Sequence, residues 1–257
     1  MPQMPRVRTA VGVVACSVGV AVGVLAGSAA AGTVKSPAWA GFQADPQPQP
    51  AASPVVTTFQ TVGAYWTVPQ LRCSGTTGAG DADSYTWVGL GSGSSAERVG
   101  VREFCTGTLT AYTTYLEMNN LYEVQAITPV PGDAVTASVS YASGKYRFTL
   151  SDSTQHKSFS PKYSCGAFSQ GGGTCSRAMV QVGAGIWAPH RSPLADYGAV
   201  TFQKITIGDT TGRHGSFAKN RYWRATGFDE YNGTRLAASA SPLSQGGTSF
   251  TDTWHHS

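Results

Sequence analysis

The chain has 257 residues, of which 12% are charged, with 18 Lys and Arg against 14 Asp and Glu. This near balance excludes the strong positive field that binding to nucleic acid or to an acidic membrane surface requires. The 31 glycines and the frequent Thr, Ser, Tyr and Val are typical of a β-rich protein.

The first 31 residues have the pattern of a secretory signal peptide. Arg6 and Arg8 form a positive region, residues 9–27 form an apolar run, and residues 29–31 are alanines suited to cleavage. We therefore expect a secreted, extracellular protein with no stable membrane association after cleavage, while an uncleaved anchor stays open as an alternative. Removing this segment lowers the formal charge from +4 to about +2 and leaves about 225 residues, enough for one well-packed domain.

Four cysteines remain once Cys16 is removed with the signal peptide. In an oxidising compartment Cys73, Cys105, Cys165 and Cys175 allow three pairings. We favour Cys73 with Cys105, which ties two neighbouring segments, and Cys165 with Cys175, which closes a glycine-rich loop. A metal site is the competing interpretation, but the chain has no CxxC and its five histidines lack ligand spacing. We expect no metal or other cofactor.

Residues 32–54 are predicted to be an N-terminal segment and a linker, because ADPQPQPAASP at 44–54 is too irregular for a strand or a helix. From 55 to 257, short runs of alternating apolar residues recur between turns, and no run keeps the 3.6-residue period of a helix. Ser143 and Gly144, for example, predict the turn of a β-hairpin. The fold prediction is one all-β domain, a two-sheet antiparallel β-sandwich.

The segment SSAERVGVREFC, residues 94–105, predicts a strand with two cations on one face. Successive side chains of a strand point to opposite faces. Arg98 and Arg102 therefore share one face, while Glu97 and Glu103 share the other.

Six short segments, in this order, carry a resemblance to a known family. They read WAGFQ, FQTVGAYWTVPQL, YTWVGLGSGSS, YTTYLEM, PGDAVTASVSY and PLADYGAVTF. Together they span residues 39–202 and resemble the glutamic peptidases, the eqolisin family. The resemblance implies a secreted β-sandwich endopeptidase with a lectin-like, concanavalin-like jelly roll, whose catalytic pair is a glutamine and a glutamate.

The resemblance places the family's catalytic glutamine at Arg98 and its catalytic glutamate at Met179. AERVG at 96–100 is similar to the family pattern V-E-Q-I-G, and AMVQVG at 178–183, counted back from LADYG, is similar to A-E-W-I-V-E, with Gly183 at its second glutamate. Methionine has no titratable group, and an arginine with a pKa above about 12 is not a general base. Losing the base removes a factor of at least about 10² in rate.

Other residues are candidates for the same cleft. Glu117 matches a family glutamate and is the one substitute base that we can name, although a glutamate hydrogen-bonded within the sheet is the simpler interpretation. Gln181, which a gap near 179 would bring to the glutamate position, is no better base. Arg98 and Arg102 are expected to face the cleft and to bind an anionic ligand through bidentate contacts. The simpler alternative is a pair of solvated arginines in a retired site.

Trp66 and Tyr115 are candidate stacking platforms for a peptide or a sugar, and core positions are the more common use of such aromatics. The resulting prediction is a monomeric, secreted, eqolisin-like protein that is catalytically degenerate and keeps a cleft for a polypeptide or an anionic ligand. The alternatives are an active acid endopeptidase using Glu117 and a lectin-like carbohydrate-binding module.

Overall fold

The computed structural model describes residues 33–47, 58–73, 81–92, 95–118, 126–165, 177–186, 192–218, 222–244 and 246–256. Within these ranges the chain forms sixteen strands and no helix, so no described helix is available to cross a membrane. The signal-peptide prediction for residues 1–31 lies outside the described residues.

The strands have the following bounds in chain order. They are β1 (Thr33–Ser36), β2 (Trp39–Pro46), β3 (Phe59–Thr67), β4 (Ala82–Ser92), β5 (Ser95–Thr106), β6 (Leu109–Glu117), β7 (Ala134–Ala142), β8 (Lys145–Asp152), β9 (Lys157–Phe159), β10 (Lys162–Ser164), β11 (Met179–Gly185), β12 (Ala199–Asp209), β13 (His214–Gly215), β14 (Trp223–Asn232), β15 (Arg235–Ala240) and β16 (Phe250–Trp254).

These strands form one hydrogen-bonded path in the order β10-β8-β7-β3-β12-β16-β15-β14-β2-β11-β4-β5-β6. The pairs along this path are antiparallel, and β1 adds to β14 in parallel. The path folds over at β12, where residues 199–202 pair with β16 and the residues from Gln203 onward pair with β3. Lys204, at φ 51°, lies in the register shift just after this change of partner. The result is a short layer (β3, β7–β10, β13 and the end of β12) facing a long layer that holds the other strands. The predicted β-sandwich is confirmed.

The core lies between the two layers, and strand alternation builds it. Val135, Val139 and Phe148, for example, are buried while their neighbours along β7 and β8 point outward. Ser143 and Gly144 close this hairpin with φ of 51° and 77°, which confirms the predicted turn. Strands β3, β7 and β8 meet β4, β5 and β11 across the core.

The N-terminal boundary of the domain lies earlier than the predicted residue 55. β2 is an inner strand of the long layer, between β14 and β11, and Trp39 and Phe42 on it are buried. The linker interpretation rested on the composition of residues 44–54, but residues 44–46 form the end of this strand, and residues 48–57 lie outside the described ranges. The segment before them is therefore part of the domain.

One predicted disulfide is confirmed. Cys73, which follows β3, is bonded to Cys105 of β5, with the two Cα atoms 5.6 Å apart. Cys165 is also disulfide-bonded, whereas Cys175, its predicted partner, lies outside the described residues.

Candidate functional site

The face of the long layer that points away from the core, called the outer face below, carries the two arginines of β5. The guanidinium of Arg98 lies over the ring of Trp87 at 5.0 Å, and Arg102 is on the same side of the strand. Glu97 and Glu103 point the other way and are fully buried. The alternation predicted for this segment is thus confirmed.

Strand register aligns several polar side chains in one row across the outer face. Arg98 pairs with Glu117 of β6 on one side and with Gly89 of β4 on the other. Gly89 pairs with Gln181 of β11, which pairs with Gln43 of β2. Because residues in register share a face, the four side chains of this row are neighbours, with Gly89 of the intervening β4 contributing only backbone.

A continuous set of hydrogen bonds connects this row and extends to Asp45. The residues that it joins are called the polar ladder below, and they are Glu117, Arg98, Gln181, Gln43 and Asp45. Nη1 of Arg98 donates to Oε2 of Glu117 at 3.0 Å, and Nη2 donates to Oε1 of Gln181 at 3.0 Å. Nε2 of Gln181 donates to Oε1 of Gln43 at 3.1 Å, and Nε2 of Gln43 donates to both carboxylate oxygens of Asp45 at 2.9 and 3.1 Å. Each amide in the ladder therefore accepts from one side and donates to the other.

Gly89 makes room for this connection. A Cβ atom at this position would lie 2.8 Å from Cγ of Arg98, closer than real carbon contacts allow. The arginine side chain thus crosses β4 over the bare glycine backbone to reach Gln181. Here glycine is required by close approach rather than by an unusual φ.

Glu117 is held on its outer-face position by two donors. Its Oε2 accepts from the hydroxyl of Tyr115 as well as from Arg98, and its side chain is 4% exposed. Burial acts to lower the pKa of Arg98, but the interactions with Glu117 and Tyr115 together outweigh burial and raise that pKa above its ordinary value. Burial, with the carboxylate beside it, raises the pKa of Tyr115 well above 10.0. Arg98 is therefore a permanent cation and Tyr115 a permanent hydrogen-bond donor.

The second arginine is also paired with a carboxylate of the protein. Nε and Nη2 of Arg102 lie 2.8 and 2.7 Å from Oδ1 of Asp83. An anionic ligand at either arginine would have to displace Asp83 or Glu117. These two ion pairs bring the outer face close to charge balance. The prediction, in contrast, was a positively charged site that binds an anion.

A cluster of aromatic rings lies beside the ladder on the same face. Its closest pairs are Trp39 stacked on Phe228 at 4.7 Å and Tyr85 edge-on to Tyr115 at 4.8 Å. Its buried members are Trp39, Tyr85, Trp87 and Tyr115. Glycine again permits the packing, since a Cβ at Gly183 would lie 2.8 Å from the Trp39 ring.

The candidate ligand residue Trp66 is placed elsewhere. It is fully buried between the layers, with its ring 5.4 Å from that of Phe202. Both Trp66 and Tyr115 come from alternating strands, but Trp66 points into the core from β3 of the short layer. Of the predicted ligand residues, the structure brings Arg98, Arg102 and Tyr115 together on the outer face and leaves Trp66 out.

Met179 and Gln181 both lie on the outer face, two residues apart on β11. Met179 is level with Gly91, near the end of β4, whereas Gln181 is level with Gly89 and contacts Arg98. The sulfur of Met179 lies 3.7 Å from Nε2 of Gln181. The residue that faces Arg98 across the sheet is therefore Gln181.

The sequence patterns did not identify several residues of this face. Gln43 and Asp45 lay in the segment interpreted as N-terminal segment and linker, although they alternate there with the buried Phe42 and Ala44. That alternation was the available signal for β2. Asp83, which pairs with Arg102, had no local signal because it meets the arginine only through the pairing of β4 with β5. The described residues contain no group of three or more side chains suited to hold a metal ion.

A family model matches most of the chain, and solved structures share its fold. The model of the Peptidase A4 family matches residues 37–246. Among solved structures, scytalido-glutamic peptidase with a peptide-based transition-state analogue is 18% identical, with a TM-score of 0.64, over 85% of this chain and 98% of that chain. Aspergilloglutamic peptidase from Aspergillus niger is 20% identical, with a TM-score of 0.55, over 68% of this chain and 99% of that chain. No curated protein matches the chain. At these identities the solved structures indicate a shared fold.

Proposed function

Because the chain belongs to the Peptidase A4 family, the glutamic peptidases, we propose that it is a secreted member without peptidase activity whose outer face binds polypeptide. The observation that carries this proposal is the position of Arg98. The resemblance assigns that position to the family's catalytic glutamine, and here its guanidinium bridges Glu117 and Gln181.

The chemistry of peptide hydrolysis needs a group that takes a proton from water and returns it to the leaving amine. Arg98 only donates hydrogen bonds, and the amide of Gln181 does not titrate. Glu117 is the nearest carboxylate, but Oε2 of this residue is already shared by Arg98 and Tyr115. These contacts support a structural role, rather than a catalytic role, for the residues of the polar ladder.

Polypeptide is the favoured ligand class because the outer face combines amide side chains, aromatic rings and paired charges. Gln43 is half-buried and offers hydrogen bonds of the kind that a peptide backbone makes. An acidic ligand is less favoured, since freeing Arg98 would leave Glu117 buried and unpaired. The solved scytalido-glutamic peptidase carries a peptide-based analogue, which is consistent with this ligand class for the family fold.

The deciding experiment is a proteolysis assay on a denatured protein substrate from about pH 2 to 7, the range in which carboxyl groups change their charge. Wild type is compared with Glu117→Gln and with Asp45→Asn, a control at the other end of the ladder. Two restored variants combine Arg98→Gln with either Met179→Glu or Gln181→Glu. We expect no cleavage by wild type and measurable cleavage by at least one restored variant.

Cleavage by wild type that is lost in Glu117→Gln and kept in Asp45→Asn would overturn the proposal and assign an acid endopeptidase that uses Glu117. Binding is measured separately by tryptophan fluorescence, because Trp39 and Trp87 lie on the outer face. The probes are a neutral blocked peptide and an oligouronate. A response to the oligouronate alone would favour a lectin-like module over a polypeptide site.

A further inference from the structure

The side of the short layer that points away from the core is a second open surface, opposite the outer face of the long layer. Along β8, the buried Tyr146 and Phe148 alternate with the exposed Lys145 and Arg147. The same alternation along β3, β7, β8 and β12 turns hydroxyl and amide side chains outward. These are Thr61, Thr136, Ser138, Ser140, Thr149, Ser151, Gln203 and Thr206.

Strand register brings three cations together at one end of this surface. Arg147 of β8 pairs with Lys162 of β10 on one side and with Ser140 of β7 on the other, and Ser140 pairs in turn with Thr61 of β3. Lys145 lies two residues from Arg147 and therefore on the same face. Neighbouring strands are about 4.8 Å apart, so these side chains form one cluster. The cluster of Lys145, Arg147, Lys162, Ser140 and Thr61 is called the basic face below.

No carboxylate of the described strands of the short layer reaches the basic face. These strands hold two carboxylates, Asp152 and Asp209, and both are 1% exposed. Oδ1 of each accepts hydrogen bonds from backbone N–H groups of the turn that follows it. Most other carboxyl groups of the described residues are buried as well. The near balance of charge along the sequence therefore does not extend to this surface, which is positive.

The three cations of the basic face are available to a ligand. None of them forms an ion pair within the described residues. Nη1 of Arg147 lies 3.4 Å from Oγ of the exposed Ser160, a long hydrogen bond to a neutral group. Arg98 and Arg102 differ, because a ligand that takes either of them leaves a buried carboxylate unpaired. An anion at the basic face carries no such cost.

The composition of the surface narrows the kind of anion that fits it. A lipid surface takes up exposed apolar side chains, and the large ones of the described residues, Val34, Leu109 and Val130, are not on the strands of the short layer. A nucleic acid base stacks on a bare aromatic ring, and the ring of Tyr65 on this surface is covered by Nζ of Lys204 at 5.0 Å. Hydroxyl side chains both donate and accept hydrogen bonds, which matches the hydroxyl groups of a sugar.

We propose that the basic face binds a polysaccharide that carries sulfate esters. The sulfate groups lie on the three cations through charge-assisted hydrogen bonds, and the sugar hydroxyls bond to Ser140 and Thr61 in the same row. A sulfate ester remains ionised in acid and at neutrality, as Lys and Arg do, so the attraction holds over that whole range. This site is separate from the polypeptide site proposed on the outer face, and either can exist without the other.

The test is isothermal titration calorimetry of the whole protein with dextran sulfate and with neutral dextran, in about 50 mM salt. We expect binding to dextran sulfate alone, which weakens as the salt concentration rises because salt screens exposed charges. A triple variant with Lys145→Gln, Arg147→Gln and Lys162→Gln should bind about 100-fold more weakly, at about fivefold per cation near an anionic surface. Ser140→Glu adds a carboxylate opposite Arg147 and should weaken binding by about fivefold or more.

The matched control removes the same amount of charge from other surfaces. Its substitutions are Lys35→Gln, Arg72→Gln and Arg235→Gln, at exposed positions outside the strands of the short layer. This control should bind dextran sulfate within about fivefold of wild type, because distant exposed charges are screened by salt. If the triple variant does not fold, Ser140→Glu decides, and wild-type affinity in that variant would overturn the proposal.

Three further results would each overturn the proposal. They are no binding of dextran sulfate by wild type, an equal loss of binding in the triple variant and its control, and binding of double-stranded DNA or phosphatidylserine vesicles as tight as that of dextran sulfate. The first two remove the site, and the third assigns it to another polyanion. Because the triple variant changes no residue of the outer face, failure here is distinguishable from failure of the polypeptide proposal.

Discussion

Replacing one partner of the Arg98–Glu117 ion pair is expected to destabilise the protein by about 3 kcal/mol. The side chains are 15% and 4% exposed, and Nη1 of Arg98 lies 3.0 Å from Oε2 of Glu117. An exposed pair contributes under about 1 kcal/mol, whereas removing one partner of a buried pair costs about 3–5 kcal/mol. Because Arg98 keeps some contact with solvent, Glu117→Gln should lie at the lower end of that range.

Arg98→Met should cost a similar amount for the opposite reason. It leaves Glu117 buried with Tyr115 as its remaining donor, and it also removes the hydrogen bond to Gln181. The double variant buries neither charge, so it should lose only about as much as either single variant. The coupling energy of the double-mutant cycle is therefore expected to be about 3 kcal/mol.

Urea unfolding at about pH 5, followed by tryptophan fluorescence, measures all three variants, and the expected loss corresponds to a midpoint shift of about 1.5 M. The Arg72–Asp196 pair is the control, because its side chains are 71% and 19% exposed and 3.9 Å apart. Its coupling energy should stay below about 1 kcal/mol. Additivity of the Arg98 and Glu117 variants to within about 0.5 kcal/mol would refute the buried-pair argument.

Two further predictions follow from packing and covalent structure. Gly89→Ala should lower the free energy of unfolding by about 1–3 kcal/mol, because its Cβ would lie 2.8 Å from Cγ of Arg98. Gly246→Ala is the control, because the atom nearest to its added Cβ is 3.8 Å away. Equal stability of the two variants would contradict the role given to Gly89. Replacing Cys73 and Cys105 together by serine should cost about 4 kcal/mol, from a sequence separation of 32 residues. An unchanged thermal midpoint in the double variant would contradict that estimate.

The fold class was predictable because its signal is local. A period of two in apolar residues predicts strands, and it placed Arg98 and Arg102 on the face opposite Glu97 and Glu103 without any knowledge of other strands. Ser143 and Gly144 predicted a hairpin for a similar reason, since the turn conformation depends on those two residues.

The composition of the site was not predictable in the same way, because it depends on which strands are neighbours and in what register. Counting back along the sequence from LADYG assigned Met179, while pairing through Gly89 brings Gln181 to Arg98. A shift of two residues keeps a side chain on the same face, so alternation alone does not distinguish these positions.

Charge balance on the outer face was likewise decided between strands. The carboxylates that pair with the two arginines, Glu117 and Asp83, lie on β6 and β4, either side of β5. Trp66 and Tyr115 illustrate the same limit, because Trp66 points from the short layer into the core, whereas Tyr115 lies on the outer face of the long layer. Local patterns determine which way each side chain points relative to its own strand. Only the packing of the two layers determines what it meets there.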